Sequence, residues 1–365
     1  MDPRVRDHAE VLVDWSARIE AGDDVVLSVA EDTHELAVAV AEKLGERGAN
    51  LVTTYASDEV SRAYLRAHDA DFETADHELA LYENADSVLF LRGGRNTFAT
   101  ADVPGERRQA ADVAAQPVRE ARMDTDWVLT LHPTRSLAQQ AGMAYEEYQE
   151  FVYDAVLRDW ETLAEEMQQM KEILDDGSEV RLVKEDTDVT MSIENRVAVN
   201  SAASVAYDSH NLPSGEVFTA PADPEGEVFF DVPMTISGTR VRNVHLTFED
   251  GEVTDFSAES GESALADVLD TDAGARRLGE LGIGMNRGID RFTDNILFDE
   301  KMGDTVHLAV GRAYGSNFPP GREDEANQSA VHVDMITDVS ENSRIEVDGD
   351  VVQRDGVFRW EDGFE

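Results

Sequence analysis

A chain of 365 residues with no cysteine and with 77 acidic against 31 basic side chains can form neither disulfides nor thiolate metal sites, so carboxylates and imidazoles must hold any metal it binds. Its net charge of −46 opposes the phosphate backbone. With no basic stripe in view, that excludes nucleic acid as a partner and argues against membrane surfaces.

Val11, Leu12, Trp15 and Ile19 recur at helical spacing and predict an opening amphipathic helix over Ala9–Ile19, ended by Gly22. Asp24–Ala30 (DVVLSVA) is a short apolar run, Asp32 or Thr33 can cap a helix through Leu44, and Asn50–Ala56 (NLVTTYA) is apolar again. Ser87–Leu91 and Trp127–Leu131 repeat this strand and helix alternation. Residues 1–177 are therefore expected to form an α/β domain with an open, mostly parallel sheet. Glu31 and Asp32 follow its first strand where a dinucleotide-binding turn has G-x-G-x-x-G, and two carboxylates there repel a pyrophosphate. Gly93-Gly94 reads as a plain turn.

Phe151, Ala155, Leu163, Met167, Met170 and Leu174 lie near one face of a single long helix predicted over Tyr145–Leu174. Asp175-Asp176-Gly177 closes it and marks a domain boundary. From Val180 the chain breaks into short alternating or apolar runs (VRLVK, DVTMSI, VFFDVP, RNVHLTF, EVTDFSA, TVHLAVG, AVHVDMI) divided by Gly, Asp, Asn and Pro. Residues 178–365 are expected to form a strand-rich α+β domain. At 41% hydrophobic, the chain can bury two such cores.

The acids are spread along the whole length, and Lys43, Lys171, Lys184 and Lys301 are the only lysines. At about 1 M salt the Debye length is about 3 Å; carboxylate repulsion is then screened, so the composition reads as halophilic. No apolar run reaches the roughly 18 residues of a membrane span, and MDPRVRDHAE lacks the apolar stretch of a signal peptide. The expected location is the cytoplasm.

Chemistry concentrates in the second domain, which holds His210, His245, His307 and His332. In AVHVDMI, strand alternation puts His332 and Asp334 on one face, where both can reach one ion; alone, H-x-D fits a core histidine beside a surface acid equally well. LPSGEVFTAP places Glu216 before an apolar run, where a buried carboxylate needs a cation or a metal, although a single Glu in so acidic a chain also reads as a solvated charge. RRLGELGIGMN carries Glu280, and LFDEKMGDTVHLAVGRAYG carries Glu300, His307 and Tyr314, each beside glycines. No G-x-S-x-G elbow or recognisable Ser/His/Asp set supports a serine hydrolase.

Four motifs occur in order: N-L-P-x-G-E-V-F-T-A-P, L-G-E-L-x-I-G-x-N, D-E-K-x-G-x-x-x-H-L-A-x-G and S-x-x-H-x-D. In these the chain resembles the metallopeptidase family of aminopeptidase T and aminopeptidase S, over nearly its whole length. The N-terminal half matches more loosely, through the early helix, the β-α-β unit and AGMAYEEYQEF. The resemblance implies that Glu216, Glu280, His307, His332 and Asp334 ligate a pair of divalent ions (Zn, Co or Mn), with Glu280 as the bridge. It makes Glu300 a further acidic ligand if its spacing to His307 varies among members; otherwise Glu300 forms a surface salt bridge to Lys301 or an arginine. Tyr314 matches a catalytic tyrosine that donates to the oxyanion, and Glu280 or a neighbouring carboxylate would move the proton.

The implied activity is a metal-dependent aminopeptidase that removes single N-terminal residues from short peptides with a free N-terminus, using a two-metal-activated water. The implied assembly is a homodimer enclosing the site. NFPPGREDEANQS, rich in acids, departs from the family pattern and bears on access or substrate preference. Two readings stand beside this one: a catalytically silent metal- or peptide-binding relative, and a two-metal hydrolase of another amide.

Overall fold

The computed structural model describes residues 2–365. By contact the chain divides into two compact units, one running to Arg158 together with Ala203–Pro213, the other comprising Asp159–Ala202 and Ser214–Glu365.

In the first unit, Asp2 caps the helix Pro3–Glu10 by accepting from Arg4 N at 3.0 Å, with Pro3 in the first helical turn. The helix continues as a π-helical turn, Val11–Ser16, which keeps Leu12, Val13 and Ser16 buried. It thus begins and ends earlier than the spacing over 9–19 suggests. Asp24–Ala30, Asn50–Ala56, Ser87–Arg92, Asp126–Leu131 and Asn211–Leu212 form a five-stranded sheet in the order second, first, third, fourth, fifth. Every pairing in it is parallel. Val25, Val26 and Leu27 of the first strand are buried between neighbours on both sides, so the run reads as continuously apolar. Thr33 stands at the start of the helix His34–Arg47, and Gly48, at φ 79°, closes it in the left-handed region. The edge strand Asn50–Ala56 leaves Val52 and Tyr55 exposed, and the helix Asp58–Ala67 buries no residue.

Two helices, Tyr145–Val156 and Trp160–Asp176, replace the single one expected over 145–174. Leu157 leaves helical geometry at φ −91°, ψ 54°, and Asp159 caps the new helix, accepting from Thr162 N at 3.2 Å. An aspartate that can bond the backbone ahead of it competes with helix continuation. The break falls where the two units divide, so the second helix joins the second unit and packs on the strands Val199–Ser201 and Glu216–Thr219. Asn200 Nδ2 ties them together by donating to Ala164 O at 3.0 Å. A boundary at 177/178 and the division by contact therefore differ over this helix and over Ala203–Pro213, whose short strand extends the parallel sheet.

The second unit is strand-rich. A nine-stranded sheet lies in it beside a five-stranded one, and both are antiparallel throughout. The five-stranded sheet runs His332–Asp338, Thr305–Gly311, Leu278–Gly284, Glu216–Thr219, Val199–Ser201. Leu278–Gly284 and Thr305–Gly311 are buried at every position, and they carry the side chains that matter most.

Candidate metal centre

Strand alternation puts Glu280, Gly282 and Gly284 on one face of their strand. Register then sets Gly284 opposite Glu216, Gly282 opposite His307, Ala309 between Glu280 and Asp334, and Gly311 opposite His332. The five predicted ligands therefore share one face of one sheet, separated by glycine and alanine. These small residues provide the room. A Cβ at Gly282 would lie 1.9 Å from His307 Cε1, so the imidazole occupies the space a side chain would fill.

The ligand atoms converge in two groups, Glu216/Glu280/His307 and Glu280/His332/Asp334, each with its atoms within 4.8 Å of one another. Glu280 belongs to both. Its Oε1 lies 3.0 Å from His307 Nε2, and its Oε2 lies 3.9 Å from His332 Nε2. Glu216 Oε2 is 3.7 Å from His307 Nε2, and Asp334 Oδ1 is 3.4 Å from His332 Nε2. His332 Nδ1 donates to Arg312 O at 2.8 Å, which leaves Nε2 facing the acids.

These residues fit a metal. Glu216 Oε2 and Asp334 Oδ1 are buried without a hydrogen-bond partner, a costly state that a cation relieves. Carboxylate and imidazole donors without thiolate suit Zn, Co or Mn. The electrostatics agree. Burial pulls the His307 imidazolium down, but the Glu280, Glu216 and Asp334 carboxylates outweigh it and raise the pKa to about 10. For His332 burial is likewise overcome, chiefly by Asp334, to give about 9. Burial raises Glu216 to about 8 despite the opposing Lys301 ammonium. The cluster thus stabilises positive charge wherever it is placed.

The Tyr314 ring centroid stands 5.1 Å from that of His332, and the residue is 39% exposed. Burial of the phenol, with the Glu280, Asp334 and Glu300 carboxylates nearby, raises its pKa to about 12 and keeps it a donor at neutral pH. Glu300 stands outside both ligand groups and pairs with Lys301. That pair is not a surface salt bridge, because Lys301 is 0% exposed and lies 3.4 Å from Glu216 Oε1 as well. From the sequence Lys301 reads only as a counter-ion. Its rarity, one of four lysines in the chain, was the available signal. His210 stacks on Trp127 and His245 on Phe229, each at ordinary ring-packing distance and outside both groups.

The profile of the thermophilic metalloprotease (M29) family matches residues 1–358. Aminopeptidase 2 of Geobacillus stearothermophilus is 28% identical over 403 aligned positions, covering 96% of this chain and 95% of that protein. Aminopeptidase T of Thermus aquaticus is 28% identical, with 93% of each chain covered. The solved structure of wild-type AmpT from Thermus thermophilus superposes with a TM-score of 0.84 at 25% identity, covering 98% of this chain and 99% of that one. With ligand motifs, sheet and site agreeing over nearly the full length, the chain belongs to the thermophilic metalloprotease (M29) family and is a metal-dependent peptide hydrolase.

Proposed function

We propose that the protein is an aminopeptidase that removes single residues from the N-termini of short peptides, working with two divalent ions. The observation that carries this reading is the division of Glu280, one oxygen toward His307 and the other toward His332. Glu216, Glu280 and His307 would hold one ion; Glu280, His332 and Asp334 would hold the other, with Glu280 as the bridge. Two such ions, when bound, supply an activated water and a polarised scissile carbonyl.

The chain's own groups supply the rest. Tyr314 donates from its phenol to the developing oxyanion. Glu280 or another carboxylate of the site carries the water's proton to the leaving amine, and burial raises the pKa of one such group, Glu300. The excess of carboxylates favours a substrate that presents a free ammonium at its end, which is the basis for exopeptidase action. Assembly as a homodimer belongs to the same reading. Tyr55, Val60, Tyr64 and Phe98 of the first unit are exposed in an otherwise highly charged chain and offer apolar surface to a second copy. The cytoplasm is the proposed location; among the described residues no helix is long and apolar enough to cross a membrane.

The test is hydrolysis of leucyl and arginyl p-nitroanilides in roughly 2 to 4 M KCl, where acidic repulsion is screened. Activity lost to EDTA, restored by Zn, Co or Mn, and absent on N-acetylated substrates establishes the reading. Cleavage of blocked amides points to a hydrolase of another amide, and no turnover in folded, metal-loaded protein points to a silent relative.

A further inference from the structure

We infer that Lys301 is a positioning residue of the metal centre, fixing which oxygen of Glu216 faces the ions; the inference rests on the two-metal reading above. Lys301 is fully buried, so its ammonium is turned to protein groups. A buried ammonium is tolerated only when paired, and this one pairs with Glu216 Oε1 at 3.4 Å and with Glu300 Oε1. The other oxygen, Glu216 Oε2, is buried without a hydrogen-bond partner and lies 3.7 Å from His307 Nε2. A carboxylate tied at one oxygen presents the other singly. Released, Glu216 can chelate one ion with both oxygens or turn away.

The backbone holds Lys301 in place for this task. Its N–H donates to Phe298 O at 3.0 Å, and its carbonyl accepts from Asn286 N at 3.3 Å. Asn286 closes the LGELGIGMN motif that bears Glu280, so Lys301 is tied to the same stretch of chain. Two residues earlier, Asp299 accepts from Thr293 N, Thr293 Oγ1 and Asn295 N at 2.8, 2.8 and 2.9 Å, fastening the turn that delivers Lys301. A chain that uses arginine for nearly all its positive charge keeps a lysine here. A compact ammonium fits between two carboxylates where a planar guanidinium demands a wider, forked site.

The experiment titrates chelator-stripped, full-length protein with Co2+ in molar KCl, following uptake by calorimetry and coordination by the visible absorption spectrum. Wild type is compared with Lys301→Met, Lys301→Arg and the double variant Lys301→Met/Glu300→Gln. The double variant removes the ammonium together with one carboxylate, so it is read if Lys301→Met alone fails to fold. Ion affinity at the Glu216 group should fall about 10- to 100-fold with an altered spectrum. In the peptidase assay kcat of Lys301→Met should drop while KM stays near wild type, and arginine should not rescue either measure; the double variant is read on metal uptake and spectrum alone. A wild-type spectrum and affinity in Lys301→Met or the double variant overturns the inference. Wild-type protein that takes up no Co2+ instead strikes the metal centre itself, so the two failures are distinguishable.

Discussion

The imidazole of His307 lies against the bare Cα of Gly282 on the neighbouring strand, its Nε2 2.1 Å from where a Cβ would stand. Gly282→Ala must therefore move either the ring or the strand. Overpacking of this kind costs about 1–3 kcal/mol, which a buried antiparallel sheet can survive. The larger effect falls on the metal, because His307 loses its aim at Glu280 and Glu216. We expect a folded protein with a modestly lowered melting temperature and at least tenfold weaker binding of one ion. Metal content after dialysis, compared with Gly45→Ala, where a Cβ meets nothing within 4 Å, checks this; wild-type retention of both ions in Gly282→Ala would refute it.

That relationship also shows how far the sequence could be read. Period-two alternation sufficed to place His332 and Asp334 together, and the alternating apolar runs announced the strands. The glycines at 282 and 284 were visible beside Glu280, but their purpose depends on which strand pairs with theirs and in what register. Lys301 is rare as a lysine, but its place beside Glu300 in so acidic a chain reads as an ordinary surface pair, and only the fold shows that it is buried. The helix break at Leu157 was hidden for the opposite reason: apolar spacing runs from Ala155 to Leu163 across it, and only the capping bond of Asp159 reveals the restart. The strand Asn211–Leu212 is too short to leave a periodic signal, so its place in the parallel sheet was not legible.

Glu280 and His332 should differ in what their loss removes. Glu280 lies in both ligand groups and His332 in one. Glu280→Gln should thus leave neither ion tightly held, whereas His332→Ala should retain the ion of the Glu216 group. Both variants should be inactive. Equal metal stoichiometry in the two would contradict the bridging role, and calorimetric titration with Zn2+ or Co2+ distinguishes the cases.

Tyr314→Phe removes a donor without removing a ligand. If the phenol serves the oxyanion, kcat should fall about 10²- to 10³-fold, while KM and metal content hold. A fall in metal content instead would mean that Tyr314 acts through its packing against His332.

The acid limit of the first unit should be set in part by His8. Its Nε2–H donates to Thr130 Oγ1 at 2.7 Å, and that hydroxyl donates onward to Leu212 O at 2.8 Å, joining the first helix to the last two strands of the parallel sheet. Nδ1 is buried without a partner. Burial, with a smaller contribution from His132, lowers the pKa of His8 to about 3 from an ordinary 6.5. The sign follows from proton counting. Between these values the unfolded chain binds a proton that the folded chain refuses, so stability falls as pH drops from about 6.5 toward 3, by up to about 1.4 kcal/mol per pH unit; above 6.5 His8 contributes no pH dependence. A glutamine at this position keeps a donor for Thr130 but cannot titrate. Unfolding free energies measured in molar KCl between about pH 4.5 and 7 should therefore show wild type losing stability relative to His8→Gln as pH falls, with the difference levelling off as pH rises toward 7. Parallel curves for the two proteins would show that His8 is protonated at no net cost inside the fold.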